Sequence, residues 1–261
     1  PIICAGDFFD GPRDITALFQ FLTIKEQHPK TSVFTVFGQH DLYYRNRKVV
    51  TNLGILSKTG AVEILNKKPF CFDTVDLYGC SWGEEVPKVK NKNKINILSI
   101  HAPIYIKPLF KGHSIIRVSK FQKQTEDFQF VICGDIHKSF IEKTERQTIC
   151  NTGPMMRLEA SSYMLKHKPK VFIYDTEKKT AKKINIPCKP GYEVLRKLTE
   201  TKDEKQNTIG DAFVLPEDKP ISIVEIINEL LSKSENRKAI EKIMRVRRIG
   251  SRVLTSKRKR G

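Results

Sequence analysis

Four short polar clusters in the first half of the chain carry carboxylate, imidazole and amide side chains, the groups that bind divalent metal ions in proteins. Their members are Asp7, Asp10, Gln39, His40, Asp41, His101, Asp135 and His137. A carboxylate can bridge two metal ions. Two ions about 3.5–4 Å apart can generate hydroxide and bind both the attacking and the leaving oxygen of a displacement at phosphorus. These residue types therefore predict a two-metal site that hydrolyses phosphoesters.

Each cluster follows a short apolar run that is typical of a buried strand. The runs cover residues 2–5, 33–37, 95–100 and 128–133, and each one ends at Gly, Asp or His. Strands that end in polar loops at one edge of a sheet form the binding sites of α/β proteins. The four clusters are therefore expected to meet at one sheet edge.

The segments between these runs predict helices and hairpins. Asp14 is placed to cap a helix that runs to about residue 28, which gives a strand-helix-strand unit. Residues 70–78 and 171–186 each have the pattern of a β-hairpin. We therefore expect an α/β protein whose sheets are not purely parallel.

In order along the chain, the clusters read G-D-F-F-D, G-Q-H-D, S-I-H-A-P and G-D-I-H. This series resembles the calcineurin-like metallophosphoesterases, in which G-D-x-x-D, G-N-H-D or G-N-H-E, a strand-terminal His and G-H-x-H follow one another. The resemblance implies an α/β fold of two mixed β-sheets packed as a sandwich flanked by helices. It implies a metallophosphoesterase domain over residues 1–190.

The resemblance also implies a role for each site residue. Asp7 would bridge two metal ions, with His137 on the first ion. The second ion would be bound by Gln39, His101 and Asp135. The catalytic residues would be His40, which protonates the leaving oxygen or stabilises the transition state, and Asp41, which pairs with His40. Asp10 would accept a hydrogen bond behind the metal ligands.

Three features depart from the family pattern. Gln39 stands where Asn is usual and Asp135 where the first His of G-H-x-H is usual, and both changes fall on the same ion. An amide oxygen and a carboxylate favour Mn²⁺ or Mg²⁺, although Fe²⁺ and Zn²⁺ remain alternatives. The opening D-x-H motif and its strand are expected upstream of Gly6, outside this sequence, and without them we expect weak metal binding and little activity.

The substrate has to be predicted from features outside the metal site, because the family includes phosphatases, phosphodiesterases and nucleases. The formal net charge is +18, which attracts polyanions. The loop after His101 carries cations and apolar residues, and residues 150–158 resemble the turn that follows the last metal ligand in SbcD-type exonucleases. We therefore expect a DNA exo- or endonuclease of DNA repair or phage-type DNA processing. The alternatives are a phosphatase or phosphodiesterase of small molecules or phosphoproteins, and an interaction scaffold that has lost the metals.

The C-terminal part, residues 191–261, is expected to contain a polar linker and a basic helical appendage. By analogy with SbcD-type nucleases, the appendage would bind an SbcC-type coiled-coil ATPase, and a homodimer is a further expectation. No apolar run is long enough to cross a bilayer. The six cysteines lack a C-x-x-C pair and four adjoin apolar runs, so we expect a cytoplasmic protein, or a nuclear one in a eukaryotic or viral host.

Overall fold

The computed structural model describes residues 1–157 and 161–194. The strands are β1 (Ile2–Ile3), β2 (Val33–Thr35), β3 (Glu63–Ile64), β4 (Phe70–Cys71), β5 (Val75–Cys80), β6 (Ile95–His101), β7 (Ile104–Tyr105), β8 (Ile116–Arg117), β9 (Phe130–Gly134), β10 (Phe140–Lys143), β11 (Thr148–Asn151), β12 (Lys170–Asp175) and β13 (Thr180–Asn185). The helices are α1 (Ile15–Gln27), α2 (Asn52–Lys58), α3 (Val118–Gln124), α4 (Ser162–Lys166) and α5 (Gly191–Val194).

Two sheets form the centre of the described fold. The smaller sheet has the order β1-β2-β3 and both of its strand pairs are parallel. The larger sheet has the order β10-β11-β9-β6-β5-β4, with β11, β9, β6 and β5 parallel and the two edge strands antiparallel. Two-stranded sheets, β7-β8 and β12-β13, complete the described strands.

Side chains alternate between the two faces of the larger sheet and so belong to two separate cores. Leu77, Ile97 and Phe130 pack in the core that includes Phe34 and Leu65 from the region of the smaller sheet. The next residue of each strand points to the opposite face, where it packs against α3. The two sheets therefore pack against each other, and α3 covers the outer face of the larger sheet.

A third core covers the outer face of the smaller sheet. Leu18 from α1 and Leu53 and Leu56 from α2 pack there with Val33 of β2. Residues 33 and 34 are adjacent in one strand, so Val33 faces these helices while Phe34 faces the larger sheet. The described layers are therefore helices, sheet, sheet and helix.

The predicted strand-helix-strand unit is confirmed. β1 and β2 pair in parallel on either side of α1. The Asp14 carboxylate caps α1 by accepting a hydrogen bond from the Ala17 N–H at 2.9 Å. This cap fixes where the loop after β1 ends, and that loop carries the first polar cluster.

Both predicted hairpins are present, as β4-β5 and β12-β13. The second hairpin packs on the larger sheet, where the rings of Phe130 and Tyr174 stack with centroids 4.2 Å apart. The predicted sandwich of α/β class is confirmed, with one correction. The smaller sheet is parallel rather than mixed, because β1, β2 and β3 each run in the same direction.

The appendage predicted for residues 191–261 lies outside the described residues, except for α5. The boundary at residue 190 therefore stays a prediction. Within the described part of the chain, no helix is both long and apolar enough to cross a membrane. All six cysteines carry free thiols.

Gly79 provides a test of the packing between the two sheets. A methyl group added there would overlap the Leu65 carbonyl group, next to the hydrogen bond from the Gly79 N–H to the Asn66 carbonyl. We expect Gly79→Ala to lower the free energy of unfolding by about 1–3 kcal/mol through overpacking. Urea denaturation measures this loss. Gly11→Ala is the control, because its added methyl meets no atom within 4 Å.

Candidate metal centre

The carboxyl ends of the strands meet at the imidazole of His101, the last residue of β6. This side chain is 1% exposed, and its Nε2 lies 3.3 Å from Asp7 Oδ2 and 4.0 Å from Asp135 Oδ1. Two ligands bound about 2.0–2.2 Å from one ion lie about 3–3.5 Å apart. The separation between His101 Nε2 and Asp7 Oδ2 therefore suits two ligands of one ion.

Gln39 completes this group. Its Nε2 donates a hydrogen bond to Asp135 Oδ1 at 2.9 Å. The two residues that depart from the family pattern therefore contact each other. Gln has one methylene more than Asn, and the Asp carboxylate is shorter than an imidazole, so the longer side chain reaches the shorter one.

His137 does not join this group in the described structure. Its side chain is exposed, and no hydrogen bond or ion pair in residues 1–157 and 161–194 joins it to Asp7. The structure brings together Asp7, Gln39, His101 and Asp135, so four of the five predicted ligands are close together. The role of His137 on the first ion stays a prediction.

The His101 ring is oriented by a backbone hydrogen bond. Its Nδ1 lies 2.6 Å from the Ala5 carbonyl oxygen and donates to it, because a carbonyl only accepts. In the neutral ring, Nε2 then carries the lone pair and faces the two carboxylates, as in metal-binding histidines. The strand that precedes Asp7 therefore sets the orientation of the ring.

The charges of Asp7 and His101 are coupled. Burial lowers the pKa of His101, but the adjacent negative charge of Asp7, 3.3 Å away, outweighs burial and raises this pKa overall. Burial raises the pKa of Asp7, yet its contacts with His101 outweigh burial and lower it. The carboxylate therefore stays ionised, as a metal ligand must.

Three motif glycines allow His101, Asp7 and the strand ends to lie close together. A methyl group on Gly6 would overlap the His101 ring at Nδ1, and one on Gly134 would overlap the Ala5 carbonyl oxygen. A methyl group on Gly38 would overlap the Asp7 carboxylate. The glycines of three motifs are therefore required because the strand ends and His101 leave no room for a Cβ.

Two of the grouped residues have strained backbones. Asp7 has φ 47° and Asp135 has φ 86°, in the left-handed region that residues other than Gly rarely adopt. Such strain persists only where surrounding contacts fix it, and it concentrates at functional sites. Here the contacts are the hydrogen bonds from the His40 N–H to Asp7 Oδ1 and from Gln39 Nε2 to Asp135 Oδ1.

The predicted pairing of Asp41 with the His40 ring is wrong. Asp41 is fully buried, and its carboxylate accepts hydrogen bonds from the N–H groups of Phe9 and Gly38. Burial raises the pKa of Asp41 to about 6 despite these bonds. The Asp41 carboxylate thus links the first motif loop to the second, because it accepts a backbone hydrogen bond from each loop.

The His40 ring contacts the first loop instead. Its Nδ1 lies 3.1 Å from the Asp10 carbonyl oxygen, while the His40 residue as a whole is exposed. The acceptor at Asp10 is therefore the backbone carbonyl. The exposed imidazole can still act as a proton donor, and its catalytic role stays a prediction.

Two buried polar atoms of the group suggest that a metal ion belongs here. His101 Nε2 and Gln39 Oε1 are both buried without a hydrogen-bond partner. Unpaired buried polar atoms are costly, and a cation would satisfy both. The fit is incomplete in one respect: in the described part of the chain, no three His, Cys, Asp or Glu side chains are arranged around one ion position. The Gln39 amide oxygen would add a further ligand.

Sequence reasoning missed the residues that hold the loop after β9. The buried Asn151 side chain donates to the Ile136 carbonyl at 2.8 Å and accepts from the Gly153 N–H at 2.7 Å. His167 is 4% exposed, and its Nε2 lies 2.8 Å from the Pro154 carbonyl. The only sequence signal was the turn at residues 150–158, whose Asn and Gly now have a structural role.

Asn151→Ala tests this support. Loss of the amide leaves the Ile136 carbonyl and the Gly153 N–H unpaired, so we expect the free energy of unfolding to fall by about 2–4 kcal/mol. We also expect about tenfold weaker Mn²⁺ binding, because the loop carrying Asp135 loses its anchor. Chemical denaturation and calorimetric titration measure the two effects. Asn93→Ala, at an exposed position, should change neither.

Two solved structures are similar to this chain. The crystal structure of TT1561 of Thermus thermophilus is 10% identical, has a TM-score of 0.40 and covers 65% of this chain and 78% of that chain. The structure of a novel archaeal phosphodiesterase is 15% identical, has a TM-score of 0.39 and covers 70% of this chain and 81% of that chain. None of the curated proteins matches the chain. The family described as calcineurin-like phosphoesterase matches residues 2–139, which is more than half of the 261 residues, so the chain belongs to this family.

Proposed function

We propose that this protein is a two-metal-dependent phosphodiester hydrolase that acts as a DNA exo- or endonuclease. The observation that carries the proposal is the pair of buried, unpartnered atoms, His101 Nε2 and Gln39 Oε1, beside the carboxylates of Asp7 and Asp135. Nitrogen and oxygen donors of this kind suit divalent ions of the first transition series. Family membership supplies the reaction class, phosphoester hydrolysis.

The ligand roles that the family resemblance implies are part of this proposal. Asp7 would bridge two ions, and Gln39, His101 and Asp135 would bind the second, with His137 on the first. Bound divalent ions supply a hydroxide nucleophile near neutral pH and stabilise the negative charge that develops on the phosphoryl oxygens. Three of the four grouped ligands present oxygen, which supports Mn²⁺ or Mg²⁺ over Zn²⁺.

We propose that His40 acts beside the ligands. Its backbone N–H donates to Asp7 Oδ1 at 2.9 Å, and its ring Nδ1 contacts the Asp10 carbonyl. A ring that donates through Nδ1 leaves Nε2 free for another partner, and the residue is exposed. We infer that this nitrogen, when protonated, gives its proton to the leaving oxygen.

The basic surface supports DNA as the substrate. The chain has 47 Lys and Arg against 29 Asp and Glu. The loop after His101 presents Phe110, which is 66% exposed, stacked on His113 with centroids 4.7 Å apart. Exposed rings among cations suit nucleic-acid strands. The proposed contact with an SbcC-type ATPase would use residues outside the described part of the chain.

A second candidate is an interaction scaffold of the same fold. The described residues do not hold three His, Cys, Asp or Glu side chains around one ion position, and this favours the scaffold. A phosphatase or phosphodiesterase of small molecules is the third candidate, because the phosphoesterase family includes that reaction as well. Metal binding separates the scaffold from both enzymes, and substrate preference separates the two enzymes.

Metal dependence is tested with chelator-treated protein. We expect added Mn²⁺ to raise the melting temperature, because ions bind the folded state alone. It should also restore the low level of oligonucleotide hydrolysis that we expect in the absence of the upstream D-x-H motif. His101→Gln should remove the shift in melting temperature caused by Mn²⁺ and lower the rate of hydrolysis at least about 100-fold, since the imidazole that faces both Asp7 and Asp135 is lost. The control is His28→Gln, at an exposed position after α1. A melting temperature insensitive to Mn²⁺ and Mg²⁺ would favour the scaffold.

Salt dependence tests the substrate. Binding of duplex DNA by the wild type should weaken steeply between about 50 and 200 mM salt, because neutralised phosphates release counterions. Fluorescence anisotropy of a labelled duplex measures this slope. Hydrolysis of nitrophenyl phosphates without measurable DNA binding would support the small-molecule enzyme instead.

A further inference from the structure

The segment after Asp41 forms a tight turn, residues 43–46, which we call the Tyr44 turn. Tyr43 and Asn46 form an antiparallel bridge, and the Asn46 N–H donates to the Tyr43 carbonyl at 3.0 Å. The two central residues, Tyr44 and Arg45, have φ values of 50° and 56°. Turns with two left-handed central residues favour Asn and Gly there. Two bulky side chains in these positions lower the stability of the turn, so their presence there requires a reason other than stability.

Tyr44 projects from this turn into solvent. It is 87% exposed, the largest fraction among the exposed large hydrophobic residues of the described chain. Its ring meets the Tyr43 ring at 69° with centroids 4.6 Å apart. A strained backbone that holds an aromatic ring in water is typical of a binding element rather than of a packing element.

Arginines lie over the rings around the turn. The Arg13 guanidinium is 4.3 Å from the Tyr43 ring centroid, and the Arg45 guanidinium is 4.9 Å from that of Trp82. A guanidinium that rests on a ring face keeps its in-plane N–H groups free for a phosphate. Neither cation forms an ion pair within 4.0 Å in the described part of the chain. The Tyr44 turn therefore combines exposed rings with positioned cations.

The turn is attached to the loops that carry the candidate metal ligands. The backbone N–H of Trp82, whose ring lies under Arg45, donates to the carbonyl of Phe37 at 2.8 Å, two residues before Gln39. Arg13 belongs to the loop whose Asp10 carbonyl contacts the His40 ring at 3.1 Å. Arg13 lies three residues after Asp10, and Phe37, which holds Trp82, lies two residues before Gln39, so we expect a strand bound at the turn to pass close to the metal centre.

We propose that Tyr44 stacks on an unpaired base of a DNA strand while the adjacent phosphodiester lies at the metal centre, and that Arg13 and Arg45 bind flanking phosphates. The proposal rests on the proposed function and specifies its substrate as single-stranded DNA or frayed ends. Stacking on an aromatic ring accepts any base, because every base has a π face. A paired base inside a duplex has no free face, so the Tyr44 turn would discriminate against intact duplex.

The test compares two labelled strands with equal numbers of phosphates, a thymidine 10-mer and an abasic 10-mer, by fluorescence anisotropy with the full chain and no added metal. We expect the wild type to bind the thymidine strand about tenfold more tightly, as one stacked base implies. Tyr44→Gly should remove this preference and leave abasic binding unchanged. Tyr44→Phe should keep it, because the ring is retained.

Tyr44→Gly should also raise the melting temperature by roughly 2–5 °C, because Gly adopts the left-handed backbone without strain. Lost discrimination in a more stable protein cannot be attributed to misfolding. Tyr192→Ala is the matched control, since Tyr192 is 67% exposed and lies in α5 outside the turn.

Equal binding of the two strands by the wild type would overturn this inference and leave nuclease activity open. If Tyr44→Gly still prefers the thymidine strand over the abasic strand, the base stacks on another ring, and this inference would also be overturned. Binding of neither strand would overturn both the inference and DNA as the substrate. Tighter binding of a uridine 10-mer would overturn the choice of DNA.

Discussion

The structure depends on a buried imidazole held at the point where the strands end. His101 donates from Nδ1 to the Ala5 carbonyl and presents Nε2 to Asp7 and Asp135. The backbone that precedes Asp7 therefore orients the ring, and the ring in turn keeps Asp7 ionised. Gly6 and Gly134 lack side chains because a Cβ at either position would overlap this ring or the carbonyl that orients it.

The rest of the fold supplies the rigidity that this arrangement needs. Asp7 and Asp135 have unfavourable backbone angles, so the free energy of these conformations must be offset elsewhere. The three cores and the buried Asp41 carboxylate, which fastens the first two motif loops together, provide this support. The Tyr44 turn carries the same kind of backbone strain at the surface.

The two departures from the family pattern are best understood as a pair. Gln39 and Asp135 are 96 positions apart, yet their side chains share a hydrogen bond of 2.9 Å. The longer amide of Gln39 reaches the shorter acid of Asp135 directly. The change from imidazole to carboxylate adds negative charge, which is consistent with a preference for harder ions.

The sequence by itself determined the strand-helix-strand unit, the hairpins and the four strand-end clusters, because apolar periodicity, caps and turn residues act over short distances. Only the tertiary structure decided which side chains meet. It separated Asp41 from the His40 ring, left His137 exposed and buried His167 beneath the turn at Pro154. These outcomes depend on backbone angles and on contacts between distant segments, such as the left-handed Asp135 and the Asn151 anchor, and local patterns do not encode them.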